Sequence, residues 1–220
     1  MKTPTEYIKE AWAIYTKKEN FIFFARIMAI LVLLSTVIGF VTGYFYSTDY
    51  VKNIDFSNIP MLIGFIVISL ISIILGLWSQ TTQYFAILKI GESEKEVFKL
   101  GYKNIWKFFL ITLVLGLIII FGAIIIIIPA IIFGVWYSFS IFLVLDKNMG
   151  IKEALKTSKL MVSGRFWKVL GRSAVFVLFT IVISILLSII PYAGNLLVAF
   201  IAPLFMLPSY LLYRDLGINN

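Results

Sequence analysis

Residues 108 to 145 read FFLITLVLGLIIIFGAIIIIIPAIIFGVWYSFSIFLVL, a run of 38 residues without a charged side chain. A bilayer core of about 30 Å is crossed by roughly 20 apolar residues in a helix. The run is therefore too long for one membrane span and sufficient for two spans joined by a tight turn. We expect that turn near Gly122 or near Pro129, because Gly relaxes the backbone and Pro removes a hydrogen-bond donor.

The rest of the sequence has the same apolar character. The 220 residues have a mean hydropathy of +1.01, and only 14% of them are charged. A chain this apolar has more hydrophobic surface than a water-soluble domain could bury. The apolar runs are continuous rather than alternating, so they predict helices and not a β-barrel. We therefore predict an all-α integral membrane protein with a single transmembrane domain over residues 1–220. Its six predicted spans cover residues about 21–45, 61–88, 108–127, 129–145, 166–190 and 196–213.

The basic residues are distributed unevenly between the two sides of the predicted membrane. Of 19 Lys and Arg residues, 17 fall at the termini or in the connections after spans two and four. Lys52 alone falls on the opposite side, and Arg26 lies inside span one. Cytoplasmic segments are enriched in Lys and Arg, so we predict a multi-pass protein of the cell membrane with both termini in the cytoplasm. This distribution also accounts for the net charge of +8 without a nucleic-acid partner.

The tetrapeptide Ile-Lys-Glu-Ala occurs twice, at residues 8–11 and 151–154, each time shortly before a long apolar run. Thr3 and Glu6 have the spacing of a helix capping box, and both copies continue with helical periodicity. A degenerate copy at residues 95–99 precedes span three. The chain is thus predicted to contain three units, each a basic interfacial amphipathic helix followed by a transmembrane hairpin.

These basic helices admit two interpretations. They are ordinary positive-inside connections that happen to be helical, or they form a dedicated surface for anionic headgroups of the cytoplasmic leaflet or for a protein partner. The second interpretation gives the lipid-surface candidates Lys9, Lys152, Lys156, Lys159, Arg165, Trp167 and Lys168.

The second half of the chain also resembles a known group of proteins. The residues that carry the resemblance are the run 127–132, then Tyr137, Ser138, Ala154, Ser158, Gly164, Phe166 and Trp167. They are similar to a loose superfamily of prokaryotic six-span membrane proteins, which includes the membrane domain fused to some glycerophosphodiester phosphodiesterases. The family commonly has Gly where this chain has Ala130. The resemblance implies a six-span fold, but these residues include no phosphodiesterase domain and no His, so that activity is not expected.

The residue types needed for common catalytic sites are missing. The sequence contains no Cys and no His, which removes thiol nucleophiles, imidazole bases and the usual zinc ligands. The carboxylates fall in connections or at span ends, and no phosphate-binding loop of Walker spacing occurs. We therefore expect no catalytic residues, no cofactor, no metal site and no enzymatic activity.

One polar patch interrupts the predicted spans. It lies near the inner end of span two, and its candidate lining residues are Ser79, Gln80, Thr82 and Gln83. The patch could bind neighbouring helices or line a vestibule. Pro203 and Pro208 could kink span six or break it. The favoured function is a non-catalytic scaffold, lipid-interacting or accessory membrane protein. The alternative is a small transporter or channel-like protein that uses this patch and the broken span.

Overall fold

A computed structural model describes residues 1–45, 59–125, 127–190 and 193–218. Lys52, the one basic residue predicted on the far side, lies outside these residues. Every regular element in the described part is an α-helix, in the order α1 Pro4–Thr16, α2 Lys18–Phe45, α3 Ile59–Leu88, α4 Glu94–Lys103, α5 Ile105–Ile125, α6 Ile127–Trp136, α7 Ser140–Asp146, α8 Ile151–Val162, α9 Phe166–Ser188, α10 Gly194–Phe200 and α11 Ala202–Ile218.

Six stretches of the described chain are long and apolar enough to cross a bilayer. They are Lys18–Gly43, Leu62–Leu88, Ile105–Ile124, Ile127–Asp146, Phe166–Ser188 and Gly194–Gly217. The predicted all-α class and the predicted number of spans are therefore confirmed, and the chain is a multi-pass membrane protein. Spans one, two, three and five are single helices, whereas span four combines α6 with α7 and span six combines α10 with α11.

The junction between spans three and four falls between the two predicted positions, since the spans in the described residues are Ile105–Ile124 and Ile127–Asp146. α5 ends at Ile125 and α6 begins at Ile127, so Gly122 lies inside α5 and Pro129 lies in the first turn of α6. Proline is tolerated there because the first N–H groups of a helix have no intrahelical partner. Gly122 permits close packing instead, since a Cβ at this position would lie 3.0 Å from the Ala130 Cα.

Span four is broken, although its sequence predicts one continuous span. α6 ends at Trp136 and α7 begins only at Ser140. Within the break, Ser138 Oγ donates to the Val135 carbonyl at 2.9 Å. Residues 137–139 contain neither Gly nor Pro, so local sequence does not explain the break, and its stabilising contact comes from α8.

Span six is broken next to Pro203, one of the two prolines that could break or kink it. α10 ends at Phe200 and α11 begins at Ala202, with Pro203 as its second residue. Leu204 N–H donates to the Ile201 carbonyl at 2.9 Å, which makes a tight turn at the junction. Pro208, by contrast, lies inside α11 without ending it.

The six spans form a closed ring in sequence order. α2 contacts α3, α3 contacts α5, α5 contacts α6, α6 contacts α9, α9 contacts α10 and α11, and α10 contacts α2. Polar contacts join the segments rich in Lys and Arg at one end of the ring, which we call the basic end. These contacts are Arg26 with Glu94, Lys107 with Asn148, Tyr213 with Asp146, Tyr7 with Asp215, and Arg172 with the Lys2 carbonyl.

The buried core lies towards the basic end. Among the described side chains, buried hydrophobic residues extend no further than Leu31 in α2, Ile111 in α5 and Phe176 in α9, and in α3 they begin only at Phe85. Beyond these positions the apolar side chains are half-buried or exposed. Exposed apolar helix surface of this length matches the hydrocarbon of a bilayer rather than water.

Three short helices, α1, α4 and α8, pack against the basic ends of spans. α4 packs on α3, α8 packs on α6 and α7, and α1 packs on α11, the last helix of the chain. The predicted capping box of α1 is present: Glu6 N–H donates to Thr3 Oγ1, and Thr3 N–H donates to Glu6 Oε2. These contacts hold the three helices, and with them the backbone positions of their basic residues, against the spans.

Candidate functional site

Ser158 fixes α8 against the break in span four. Its Oγ donates to the Trp136 carbonyl at 2.8 Å and accepts from the Phe139 N–H at 3.2 Å. Both backbone groups belong to the junction of α6 and α7, where the helical ladder is interrupted. Ser158 is fully buried, so this contact orients the rest of α8 relative to the membrane spans.

Tyr15 makes the corresponding contact for α1. It lies four residues after Ala11, as Ser158 lies four residues after Ala154, and both alanines are fully buried. The Tyr15 hydroxyl donates to the Phe200 carbonyl at 3.2 Å, at the junction of α10 and α11. The two copies of the Ile-Lys-Glu-Ala motif therefore present a hydroxyl donor from the same position to a broken span.

The lysines of α8 lie opposite its buried side. Ala154, Ser158, Met161 and Val162 are buried, whereas Lys152, Lys156 and Lys159 are exposed. The Lys159 ammonium lies 4.3 Å from the ring centroid of Trp136, which is within cation–π distance.

The start of α9 adds a second set of cations. Gly164 has φ +75° and turns the chain from α8 into α9. Arg165, Lys168 and Arg172 follow at helical spacing and, together with Met1, line a polar cavity of about 490 Å³. Arg172 is held in place, because its Nε donates to the Lys2 carbonyl at 2.8 Å and its Nη1 to the Lys168 carbonyl at 2.9 Å.

We call Lys152, Lys156, Lys159, Arg165, Lys168 and Arg172 the α8–α9 cations. In residues 1–45, 59–125, 127–190 and 193–218, no ion pair with a carboxylate involves Lys152, Lys156, Lys159, Arg165 or Lys168. Some other lysines of the basic end are paired, as Lys2 is with Glu10 at 2.6 Å and Lys99 is with Glu96 at 3.3 Å, whereas Lys9, Lys95 and Lys103 form no ion pair among the described residues. The α8–α9 cations thus form a region of uncompensated positive charge.

Comparisons with protein-family models, curated proteins and solved structures find no match to this chain. Across the described residues there is also no group of three His, Cys, Asp or Glu side chains that could hold a metal ion.

Large aromatic side chains lie beside the basic helices. Trp167 is 79% exposed and adjoins Lys168, and Trp106 is 74% exposed and adjoins Lys107. Trp12 of α1 is also exposed. Indole rings with one apolar body and one N–H group are typical of the membrane–water interface. Lys9, the remaining lipid-surface candidate, is exposed on α1, separate from the α8–α9 cations in sequence.

The polar patch of span two is divided among several surroundings. Gln80 is exposed, Ser79 and Gln83 are half-buried, and Thr82 is fully buried. The neighbouring Thr81 hydroxyl donates to the Leu77 carbonyl of its own helix at 2.6 Å. Thr82 faces Gly101 of α4, and its hydroxyl has no partner among the described residues. These side chains do not all face one cavity.

Two tyrosine–aspartate pairs at the basic end were not predicted. The Tyr7 hydroxyl donates to Asp215 Oδ2, and the Tyr213 hydroxyl donates to Asp146 Oδ2 at 2.8 Å. Burial, and then the hydrogen bond to Asp215, raise the pKa of Tyr7 above its usual value, so its hydroxyl stays protonated. The partners are 208 and 67 residues apart, so no local sequence signal indicates either pair.

Proposed function

We propose that this chain is a non-catalytic, lipid-interacting membrane protein whose α8–α9 cations bind anionic headgroups. The observation that carries the proposal is the clustering of these cations on two consecutive helices, where Lys152, Lys156, Lys159, Arg165 and Lys168 have no carboxylate partner in the described part of the chain. An ammonium or guanidinium group near an anionic membrane surface gains about 1 kcal/mol. Several such groups on two consecutive helices therefore favour an anionic leaflet strongly. The exposed Trp167 beside them is suited to the membrane–water interface, where these headgroups lie.

The proposal includes a topology. The chain crosses the cell membrane as three hairpins, each preceded by a basic amphipathic helix, α1, α4 or α8, at the cytoplasmic interface. Both termini are then cytoplasmic, in agreement with the distribution of Lys and Arg. The equivalent contacts of Tyr15 and Ser158 support a repeated unit. A protein partner on the same cytoplasmic surface is compatible with this arrangement.

The relation to the six-span superfamily is part of the same proposal. Two of the residues on which the resemblance rests, Tyr137 and Ser138, lie in the break in span four, and a third, Ser158, hydrogen-bonds to the Trp136 carbonyl and the Phe139 N–H there. A shared requirement for this contact would account for their similarity. The proposal concerns the membrane fold and carries no phosphodiesterase activity.

The test measures association of the full-length protein with lipid of defined charge. The protein is reconstituted in bilayer discs, and the enrichment of phosphatidylglycerol over phosphatidylcholine in its lipid shell is measured by mass spectrometry. We expect the triple variant Lys152→Gln, Lys156→Gln, Lys168→Gln to reduce this enrichment substantially. Neutral side chains of similar length remove the charge and leave the buried face of α8 intact.

The matched control removes three lysines from α4, by Lys95→Gln, Lys99→Gln and Lys103→Gln. Both triple variants lose the same net charge, so a general charge effect would lower the enrichment equally in both. Equal losses would contradict a site formed by the α8–α9 cations. An unchanged enrichment in the α8–α9 variant would contradict the proposed function.

The alternative function, a small transporter or channel-like protein, is favoured by one observation. Spans four and six are both broken, and broken helices expose backbone groups that transporters use for binding. Here, however, the Trp136 and Phe200 carbonyls already accept hydrogen bonds from Ser158 and Tyr15. A solute that raises the melting temperature of the protein, but not of a Gln80→Leu, Gln83→Leu variant, would favour this alternative.

A further inference from the structure

An apolar groove lies between α1, α9 and the two helices of span six. Its cavity volume is about 660 Å³, within the range of roughly 300–1,000 Å³ typical of ligand pockets. Phe179, Ile183 and Leu187 of α9 form one wall, and Trp12 lies at its rim. Among the described residues that line it, Lys9 is the only charged one.

The wall formed by α1 is held in position near both of its ends. The Tyr7 hydroxyl donates to Asp215, and the Tyr15 hydroxyl donates to the Phe200 carbonyl. The Tyr7 ring also meets the Phe176 ring edge-on, with centroids 6.0 Å apart. The intervening residues Lys9 and Trp12 therefore face a groove that exists before any ligand binds, which lowers the entropic cost of binding.

The shape of the groove follows from helical spacing. Phe179, Ile183 and Leu187 recur every four residues on one side of α9, so they extend roughly 12 Å along the helix. A long, narrow and apolar surface of this kind complements a hydrocarbon chain. It lies within span five, where lipid chains are the surrounding medium.

Lys9 determines the charge of the ligand. Its side chain is exposed, and no carboxylate among the described residues forms an ion pair with it. Its aliphatic stem can follow the groove while the ammonium group reaches the headgroup region. We infer that the groove binds one acyl chain of an anionic phospholipid, whose phosphate contacts the Lys9 ammonium. This inference rests on the proposed lipid-interacting function and assigns a second lipid site, separate from the α8–α9 cations.

The experiment uses the rim residue Trp12 as a reporter. Full-length protein is placed in phosphatidylcholine discs that contain a minor fraction of phosphatidylglycerol or phosphatidylcholine with brominated acyl chains, which quench indole fluorescence on contact. The Trp12 signal is the difference between the protein and its Trp12→Phe variant. We expect brominated phosphatidylglycerol to occupy the groove about fivefold more often than brominated phosphatidylcholine, the ratio expected for one lysine near an anionic headgroup.

Two variants separate the charge from the groove. Lys9→Gln should remove the preference for phosphatidylglycerol, because the ammonium group is lost. Ile183→Phe should fill the groove and reduce Trp12 quenching by both lipids. The matched control is Ile181→Phe, since Ile181 lies at the same depth of α9 and is 47% exposed on a different side of the helix. This control should leave quenching unchanged.

The possible results distinguish this inference from the proposed function. Equal quenching of Trp12 by the two lipids, or equal effects of the Ile183 and Ile181 variants, would contradict the inferred lipid site in the groove. If the α8–α9 cations still enrich phosphatidylglycerol in that case, only the inferred lipid site in the groove is wrong, and the proposed function stands. If neither measurement detects a preference for anionic lipid, the proposed function fails with it.

Discussion

Single hydroxyl groups stabilise both broken spans. A backbone carbonyl that faces the interior of a membrane bundle without a partner is costly. Ser158 supplies a donor to the Trp136 carbonyl, and Tyr15 supplies one to the Phe200 carbonyl. A side chain from a neighbouring helix thus supplies the hydrogen bond that each interrupted helix does not make itself. The break in span four is therefore a property of the contact between α6, α7 and α8 rather than of span four alone.

The first prediction concerns Ser158→Ala. This change leaves the Trp136 carbonyl and the Phe139 N–H without their partner, and we expect it to lower the free energy of unfolding by about 1–3 kcal/mol. The measurement is the thermal unfolding midpoint in detergent. Ser163→Ala, at the exposed end of α8, is the control and should have little effect. Equal midpoints for the two variants would show that the hydroxyl does not stabilise the break.

The short helices differ in how closely they approach their spans. Gly101 of α4 occupies the position that Tyr15 and Ser158 occupy in α1 and α8, four residues after a fully buried side chain. α3 is unbroken at this level and has no open carbonyl to accept a donor. A glycine instead allows α4 to pack directly on α3, with Gly101 against Thr82.

The second prediction concerns Gly101→Ala. The new Cβ would lie 2.2 Å from Thr82 Oγ1 and 3.1 Å from Thr82 Cα, so we expect a loss of about 1–3 kcal/mol in the free energy of unfolding. Thr82→Ala in the same chain should restore part of the loss by removing the hydroxyl. Gly116→Ala is the control, because its Cβ would meet open space, and it should be neutral or slightly stabilising. Chemical denaturation in mixed micelles measures all three.

The helices were predictable to different degrees from the sequence. Apolar length is a local property, so the six spans and the capping box at Thr3 were predicted correctly. Pro203 made either a kink or a break in span six an expectation, since proline lacks an N–H, and the sequence did not decide between the two. The break at residues 137–139 was not predicted, because its stabilising donor, Ser158, lies on another helix. The sequence likewise could not assign a direction to the side chains of Gln80 and Gln83, which depends on the neighbours of α3.

The third prediction concerns the orientation of the whole molecule. The sequence contains no Cys, so single cysteines can be labelled without background. We expect Lys156→Cys to react with a membrane-impermeant maleimide only after the cells are permeabilised, and Asn53→Cys to react in intact cells. The reason is the cost of placing 17 basic side chains on the outer side, against the positive-inside bias. Labelling of position 156 in intact cells would reverse the topology and remove the cytoplasmic leaflet from the proposed function.

The contact between α1 and α11 has a consequence for how the protein is made. Tyr7 and Asp215 are 208 residues apart, so the first helix emerges from the ribosome long before its partner exists. Until span six has been synthesised, Tyr7 lacks its Asp215 partner and Tyr15 lacks the Phe200 carbonyl. The ring can close only when span six enters the bilayer, so the insertion of span six is the step that brings α1 and α11 together.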